Sequence, residues 1–418
     1  MTSVAGETWF RDEALGRVLS LLNADGGEGR VVGGAVRNSL MGLPVADIDI
    51  ATTLLPEAVV ERANAAGIKA VPTGIAHGTV TLVIDGKPFE ITTLRRDVET
   101  DGRRALVAFS EDWQADAERR DLTINALYAS ADGEVVDLVG GLADLERRNI
   151  RFIGDASTRI AEDYLRILRF FRFFAHYGSG RPDADGLRAC AAARSKIATL
   201  SAERVWSEMK KLLSASDPGR ALLWMRQVGI LTEVLPETEK WGIDAVPALI
   251  AAEQALGWPA DPLLRLAAIV PPDAARLAKL AERLRLSKAE AAYLQAWATA
   301  PVVKDDMSEA GFDRLLYRHD PVGVAARLRL ALAIARGKAE GDFEEMARSA
   351  RVGKLLQRTE KWKKPAFPLS GADVLAAGVA AGPRVGEFLS TLEQEWVEAN
   401  FAADRAKLLA RLKDLASA

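Results

Sequence analysis

Residues 30–52, RVVGGAVRNSLMGLPVADIDIAT, decide how the first part of this chain folds. The β-branched run at Arg30–Val32 predicts a strand, the two glycines that follow predict a turn, and Val36–Met41 predicts a helix. A second strand is expected at Asp47–Ala51. Strand, glycine turn, helix and strand in this order predict an α/β head.

Further elements of the head are predicted from short apolar runs and from turn residues. Strands are expected at Thr79–Ile84, Phe89–Thr93 and Val135–Leu138, a helix at Pro56–Ala66, and a tight hairpin turn at Asp85–Gly86. The polar stretch Leu94–Asp116 carries many charges and little periodicity. We therefore expect a mobile loop there.

The rest of the chain differs from the head in its pattern of apolar residues. From Ala156 onward, apolar residues recur every three or four positions, which predicts helices separated by proline- and glycine-containing breaks. The change marks a domain boundary. The predicted parts are a head at 1–150, a helical neck at 151–215, a helical body at 216–300 and a helical tail at 301–418.

Composition excludes several classes of protein. The chain has 418 residues and a net charge of −3, without an apolar run of the roughly 20 residues that a membrane span requires. The N-terminus, MTSVAGETWF, lacks a signal-peptide pattern, and Cys190 is the single cysteine. We expect a cytoplasmic protein with no membrane role. His77, His176 and His319 are scattered, so any metal is expected on carboxylates.

Asp47 and Asp49 stand two positions apart in the second predicted strand. Alternate strand residues point to the same face, so the two carboxylates would lie side by side. Mg²⁺ ions held there could deprotonate an attacking hydroxyl and neutralise a departing pyrophosphate, the chemistry of nucleotidyl transfer. The alternative is a solvated strand end. Glu90 is a candidate third carboxylate if the sheet is continuous, or else a partner of Arg95.

The glycine pair and the helix after it predict a phosphate-binding element. Gly33 and Gly34 have no side chains, so backbone N–H groups can approach a triphosphate closely. Arg37 adds a forked cation one turn later. A glycine pair alone is weak evidence, and its position between two strands, just before Asp47, strengthens the interpretation.

A second motif, ERRDLTINALY, occupies residues 118–128. Here Arg120 would contact phosphates, and Asp121 and Asn125 would contact the sugar hydroxyls. A carboxylate can accept a hydrogen bond from a 2′-hydroxyl, which would favour ribonucleotides. The alternative for Asp121 is a cap on the helix predicted to follow it.

A third motif, EDYLRILRFFRF, occupies residues 162–173. Three arginines at intervals of three form a stripe on one predicted helix: Arg166, Arg169 and Arg172. Asp163 can accept the exocyclic amine of cytosine or adenine while Arg166 donates to the ring nitrogen. Guanine and uracil reverse that order of donor and acceptor, so the pair would select C and A without a template. The alternative is an amphipathic helix with a Glu162–Arg166 ion pair.

The three motifs, in this order and spacing, resemble those of the class II tRNA nucleotidyltransferase and bacterial poly(A) polymerase family, and the similarity covers residues 28–240. The resemblance implies a polymerase-beta-like mixed sheet followed by an all-α region. It implies Mg²⁺ on Asp47 and Asp49. It also implies nucleotide binding by Gly34, Arg37, Arg120, Asp163, Arg166, Arg169 and Arg172, to which the residue types of the second motif add Asp121 and Asn125. The family usually has Asp where this chain has Asn38, which removes a salt bridge from that position.

The expected function is addition of C, C and A to tRNA 3′ ends from CTP and ATP, with release of pyrophosphate. The body and tail would hold the RNA, the stretch Asp101–Arg104 would help the pocket change its base preference, and no protein partner is implied. A poly(A) polymerase, or an enzyme that adds only CC or only A, stays open. Two further alternatives are a phosphohydrolase built on His319 and Asp320, and a non-catalytic RNA-binding protein.

Overall fold

A computed structural model of the chain describes residues 2–74, 78–101, 104–239 and 242–417. The chain separates into two compact units, Met1–Pro236 and Glu237–Ala418. The finer division into head, neck, body and tail stays a prediction.

The first unit contains nine strands within its described residues. They are β1 (Gly29–Val32), β2 (Asp49–Thr52), β3 (Lys69–Gly74), β4 (Thr79–Ile84), β5 (Lys87–Thr93), β6 (Arg95–Asp101), β7 (Arg104–Phe109), β8 (Leu127–Ala129) and β9 (Val135–Asp137). Seven form one sheet in the order β3-β4-β5-β2-β1-β8-β9, and β6 pairs with β7 alone. Strand β2 is antiparallel to β1 and parallel to β5, so the predicted mixed sheet is confirmed.

The hairpin between β4 and β5 confirms the predicted tight turn. Ile84 pairs with Lys87, which leaves Asp85 and Gly86 as the two turn residues. Their φ angles are 52° and 77°, and positive values at both positions are typical of the type I′ turn that matches strand twist. Strand β4 has the predicted bounds.

The prediction of a loop at residues 94–116 is wrong, because regular secondary structure forms there. Strands β6 and β7 form a two-stranded ribbon there, and the helix α4 (Trp113–Glu118) follows. At the root of the ribbon, the Ser110 N–H donates to the Leu94 carbonyl at 2.9 Å. A two-stranded ribbon is held by backbone pairing and needs no apolar face, which is why periodicity missed it. In the predicted specificity stretch, Gly102 and Arg103 lie outside the described residues.

Helices flank the sheet and complete the first unit. Besides α4 they are α1 (Glu13–Leu22), α2 (Gly34–Leu40), α3 (Pro56–Ala65), α5 (Gly141–Glu146), α6 (Ala156–Glu162), α7 (Leu165–Tyr177), α8 (Ala184–Ala192), α9 (Ala202–Leu213), α10 (Gly219–Gln227) and α11 (Ile230–Val234). Helix α7 buries Phe170 and Phe171, and the Phe170 ring stacks on Phe152 with centroids 5.3 Å apart. This packing anchors the arginine-bearing helix to Phe152, which forms a β-bridge with Leu122 of the predicted head.

The described part of the second unit contains helices and no strand, which confirms the predicted all-α region. These are α12 (Ala245–Leu256), α13 (Pro262–Ile269), α14 (Ala274–Arg283), α15 (Lys288–Thr299), α16 (Glu309–Arg318), α17 (Pro321–Lys338), α18 (Phe343–Lys361), α19 (Gly371–Ala376), α20 (Pro383–Glu398) and α21 (Arg405–Ser417). Two apolar clusters stabilise it, one around Phe312 and Leu316 and one around Leu392 and Trp396. None of the described helices is both long and apolar enough to span a membrane.

Candidate active site

A polar pocket of about 560 Å³ in the first unit collects most of the residues that the three motifs predict. Its lining includes Gly34, Arg37, Asp49, Glu90, Arg120, Asp121, Asn125, Asp163, Arg166 and Arg169. Asp47 and Arg172 are not among its lining residues. A larger open groove of about 930 Å³ beside α1 and α3 has none of the motif side chains among its described lining residues.

Two carboxylates stand side by side at the edge of this pocket. Asp49 is the first residue of β2, and Glu90 is its register partner on the parallel strand β5. The sheet is therefore continuous from Asp49 to Glu90, as the prediction of Glu90 as a third carboxylate required. Asp47 lies two residues before β2, so the expectation that both aspartates share the strand is wrong for Asp47. Its backbone stays outside the ladder of hydrogen bonds.

The carboxylates form a concentrated negative charge. Burial raises the pKa of Asp49, and the charges of Glu90 and Asp47 raise it further, while Arg120 opposes them. A bound cation would relieve this repulsion, so the donor set fits a hard divalent ion. No three His, Cys, Asp or Glu side chains of the described residues form a ready-made metal cage. Mg²⁺ commonly combines one or two carboxylates with substrate phosphates, which suits such a partial site.

Arg37 is held deep in the pocket wall by the elements on both sides of it. Its side chain donates to the amide oxygen of Asn125 and, at 2.8 Å, to the Tyr177 hydroxyl, and its guanidinium lies 4.1 Å from the centre of the Tyr177 ring. Asn38 accepts from Arg37 at 2.8 Å as a neutral amide, so position 38 supplies a hydrogen bond and no salt bridge. Gly33, with a φ of 73°, makes the turn into α2.

Asp121 joins the second motif to the third. Its carboxylate accepts from Arg169 Nε at 2.6 Å and from the Asn125 amide at 3.1 Å. Burial alone would raise the pKa of Asp121, but the Arg169 charge and hydrogen bond outweigh it, so the pKa is lowered. The helix expected after Asp121 is only a single 3-10 turn, Thr123–Asn125, and Asp121 accepts from the Leu122 N–H ahead of it.

Asp163 and Arg166 each have a partner that fixes their direction. Asp163 has extended backbone between α6 and α7 and accepts from Arg204 Nη2 at 2.6 Å. Arg166 makes an ion pair with Glu162, and the two residues lie on consecutive helices instead of the single helix expected. The alternative ion pair therefore exists, and it leaves Arg166 in the lining of the pocket.

Arg172 stands behind the pocket wall. It forms an ion pair with Glu208 of α9 at 2.9 Å, and its guanidinium lies 4.5 Å from the centre of the Phe173 ring. Burial lowers the pKa of Arg172, and Glu208 opposes that effect. Phe173 itself lines the pocket and also contacts the guanidinium groups of Arg37 and Arg169.

Several residues of this site were missed by sequence reasoning: Arg95, Arg119, Phe173, Arg204 and Glu208. The stretch AERVWSEMKK carried a usable signal, because Arg204 and Glu208 are four residues apart and face the same side of α9. The alternative built on His319 and Asp320 finds no support, since Asp320 caps α17 by accepting from the Val322 N–H at 2.8 Å. His77 lies outside the described residues.

Known proteins resemble this chain over nearly its whole length. The Poly A polymerase head domain matches residues 29–151, and the probable RNA and SrmB-binding site of polymerase A matches residues 182–241. The CCA tRNA nucleotidyltransferase 1, mitochondrial, of Mus musculus is 33% identical over 96% of this chain and 90% of its own length. The CCA-adding enzyme of Geobacillus thermodenitrificans is 37% identical over 55% of this chain and 56% of its own. The crystal structure of Bacillus stearothermophilus CCA-adding enzyme in complex with CTP superposes with a TM-score of 0.76 at 26% identity, covering 97% of both chains.

Proposed function

This chain belongs to the family of CCA-adding tRNA nucleotidyltransferases, and from that premise we propose how its pocket works. The enzyme adds C, C and A to tRNA 3′ ends, using CTP and ATP and releasing pyrophosphate. The observation that carries the assignment of the site is the presence of the Asp49–Glu90 carboxylate pair and the Asp163–Arg166 pair in the lining of one pocket. One pair suits the reacting end of a nucleotide and the other suits its base.

The carboxylates are proposed to hold Mg²⁺. Asp49 and Asp47 would supply the protein oxygens, with Glu90 close enough to Asp49 to assist. When bound there, divalent ions lower the pKa of an attacking hydroxyl and neutralise charge on the leaving pyrophosphate. The chain itself then has to place the tRNA 3′ hydroxyl and the α-phosphate in line, which is mainly a matter of orientation.

Arginines of the wall are proposed to orient the triphosphate. Arg37 is fixed by Tyr177 and by the amides of Asn38 and Asn125, so little conformational entropy remains to be lost when a phosphate binds. Arg120, which also lines the pocket, adds a second cation. Asp121 accepts a hydrogen bond from the 2′-hydroxyl of the nucleotide. Arg169 keeps the Asp121 carboxylate ionised and fixes its orientation.

Base selection is proposed to depend on Asp163 and Arg166. Cytosine and adenine each present an amine donor beside a ring-nitrogen acceptor, which match a carboxylate and a guanidinium. Because Arg204 holds Asp163 and Glu162 holds Arg166, the two groups keep this order without a template strand. Uracil and guanine would place a carbonyl against the carboxylate and an N–H against the guanidinium.

The test is incorporation of each labelled nucleotide into tRNA ending before CCA, after C and after CC, with Mg²⁺ and with EDTA. Ordered addition of two C and one A, abolished by EDTA, supports the proposal. Addition of A alone to the CC-ended tRNA identifies an A-adding enzyme, and addition of C alone identifies a CC-adding enzyme. Unlimited A addition identifies a poly(A) polymerase, and no addition contradicts catalysis.

The place of the enzyme in the cell is a separate proposal. We propose the cytoplasm, because the single cysteine, Cys190, is free and suits a reducing compartment. The mouse relative carries the word mitochondrial in its name. A tagged chain that fractionates with an organelle in its source cell would contradict the cytoplasmic proposal.

A further inference from the structure

A buried carboxylate outside the three motifs organises two of the arginines of the pocket. Asp116, in α4, is 1% exposed and does not line the pocket. It accepts from Arg119 Nε at 2.8 Å, from Arg120 Nε and Nη2 at 3.1 and 3.0 Å, and from the Tyr128 hydroxyl at 2.8 Å. Arg119 and Arg120 both line the pocket. The buried Asp116 carboxylate therefore holds two neighbouring cations in the wall of the pocket.

The charges at this point do not cancel. Two guanidinium groups share one carboxylate, which leaves one net positive charge facing the pocket. Burial alone would raise the pKa of Asp116, but Arg120 and Arg119 lower it, so the carboxylate is ionised at neutral pH. Tyr128 lies within the sheet on β8, is fully buried, and fixes the same carboxylate oxygen that Arg120 contacts.

The contacts also decide which donors are left for a ligand. Asp116 takes Nε and Nη2 of each arginine. Among the described residues, neither Nη1 group has a hydrogen-bond partner. An arginine pair that is already immobilised loses less side-chain entropy when it binds an anion than two free arginines would.

We propose that Asp116 is a positioning residue for the nucleotide triphosphate, acting by presenting Arg119 and Arg120 together as one anchored dication. This inference rests on the proposed function, because a nucleotide must occupy the pocket. It adds Arg119 as a second phosphate contact beside Arg120, and it assigns a role in binding to a residue that never touches the substrate.

The test compares two buried aspartates of the first unit. In Asp116→Asn, a neutral amide cannot accept from both arginines and the hydroxyl, so KM for CTP and for ATP should rise about tenfold, with kcat changed by less than about threefold. The matched control is Asp144→Asn. Asp144 is 6% exposed and binds Arg151 at 2.9 Å and Thr123 at 2.7 Å, outside the lining of the pocket. It should lower the melting temperature and leave both KM values unchanged.

Tyr128→Phe is the milder variant, and it keeps the ring and the ion pairs. It removes the hydrogen bond to Asp116 and the one that the hydroxyl accepts from Arg120 Nε at 3.1 Å, and KM for both nucleotides should rise about threefold with kcat unchanged. The inference is overturned if Asp116→Asn leaves KM within twofold of wild type, or if Asp144→Asn raises KM equally. Should Asp116→Asn not fold, an unchanged KM in Tyr128→Phe overturns it. Wild type lacking activity with CTP and ATP would instead contradict the proposed function.

Discussion

The two compact units use the same residue types, arginine with aspartate or glutamate, in opposite ways. In Met1–Pro236, pairs such as Arg169–Asp121 and Arg204–Asp163 converge on one pocket. In Glu237–Ala418, pairs such as Arg411–Glu395 join neighbouring helices at the surface, with both side chains more than 40% exposed. The ion pairs that we propose to be functional are those that meet others at a cavity.

Burial alone does not separate the two uses. The pair Arg265–Glu253 in the second unit is more buried than most pairs of the pocket, with side chains 2% and 5% exposed and 2.6 Å between them. It joins α13 to α12. This pair links two helices and does not line the pocket, whereas the side chains of Asp121 and Asp163 both line it. The pairs that we propose to be functional therefore combine burial with side chains that line a cavity.

Asp49→Asn is expected to produce the largest effect on activity. Loss of a carboxylate that we propose to bind Mg²⁺ should reduce nucleotide incorporation by at least about 10³-fold. Stability should not fall. The pKa of Asp49 is raised in the folded state, so stability is lost as pH rises through that pKa. Because the side chain is exposed, solvent reduces this cost, and a neutral residue should recover only a small part of it. Incorporation rates in the presence of Mg²⁺ measure the effect on activity. Melting temperatures in the absence of metal measure the effect on stability.

The control for Asp49→Asn is Asp313→Asn in the second unit. Asp313 is 9% exposed and accepts two hydrogen bonds from Arg358, each at 2.6 Å. Its loss should lower the melting temperature and leave KM for CTP unchanged. If Asp49→Asn stayed active while Asp313→Asn changed KM for CTP, the contrast between the units would be wrong.

Glu253→Gln is expected to produce the largest loss of stability. The substitution removes the carboxylate partner of the buried Arg265 guanidinium, and breaking a buried pair commonly costs about 3 kcal/mol or more. Urea unfolding measures the change. KM for CTP should be unaffected. The exposed pair provides the control, since Glu395→Gln should alter the free energy of unfolding by less than about 1 kcal/mol.

Asp163→Ala is expected to reduce base discrimination. Without the carboxylate, the ratio of kcat/KM for CTP over UTP should fall about 10- to 100-fold, as for loss of one bidentate base contact. Asp183→Ala is the control, because Asp183 caps α8 by accepting from the Gly186 N–H at 2.8 Å and does not line the pocket, so the CTP/UTP ratio should not change. An unchanged CTP/UTP ratio in Asp163→Ala would exclude Asp163 as the residue that reads the base.

Tyr177→Phe is expected to have the smallest effect of the four substitutions compared between the units. The ring stays over Arg37, and only the hydroxyl that accepts from Arg37 is lost, so KM for CTP and ATP should rise about fivefold. Tyr317→Phe in the second unit removes a hydroxyl that donates to Glu393 and should leave KM unchanged. Equal KM values in the two variants would show that Tyr177 does not position Arg37.

Much of the pocket was predictable because its motifs are local. The glycine turn, the helix after it and the aspartate of β2 lie within 23 consecutive residues, so spacing alone indicated that Gly34, Arg37 and Asp49 belong to one site. Helix α7 has a strong apolar face, which made its existence and its three arginines visible in the sequence. Motif order then indicated the family.

What only the tertiary structure decided is which partner holds each of these groups. Arg204 is 41 residues from Asp163, Tyr177 is 140 residues from Arg37, and neither contact follows from periodicity. Periodicity reports which face of an element is buried, whereas packing of distant elements sets the contacts across that face. The sequence by itself thus determined the chemistry of the pocket. Long-range packing decided its orientation, including the hidden role proposed for Asp116.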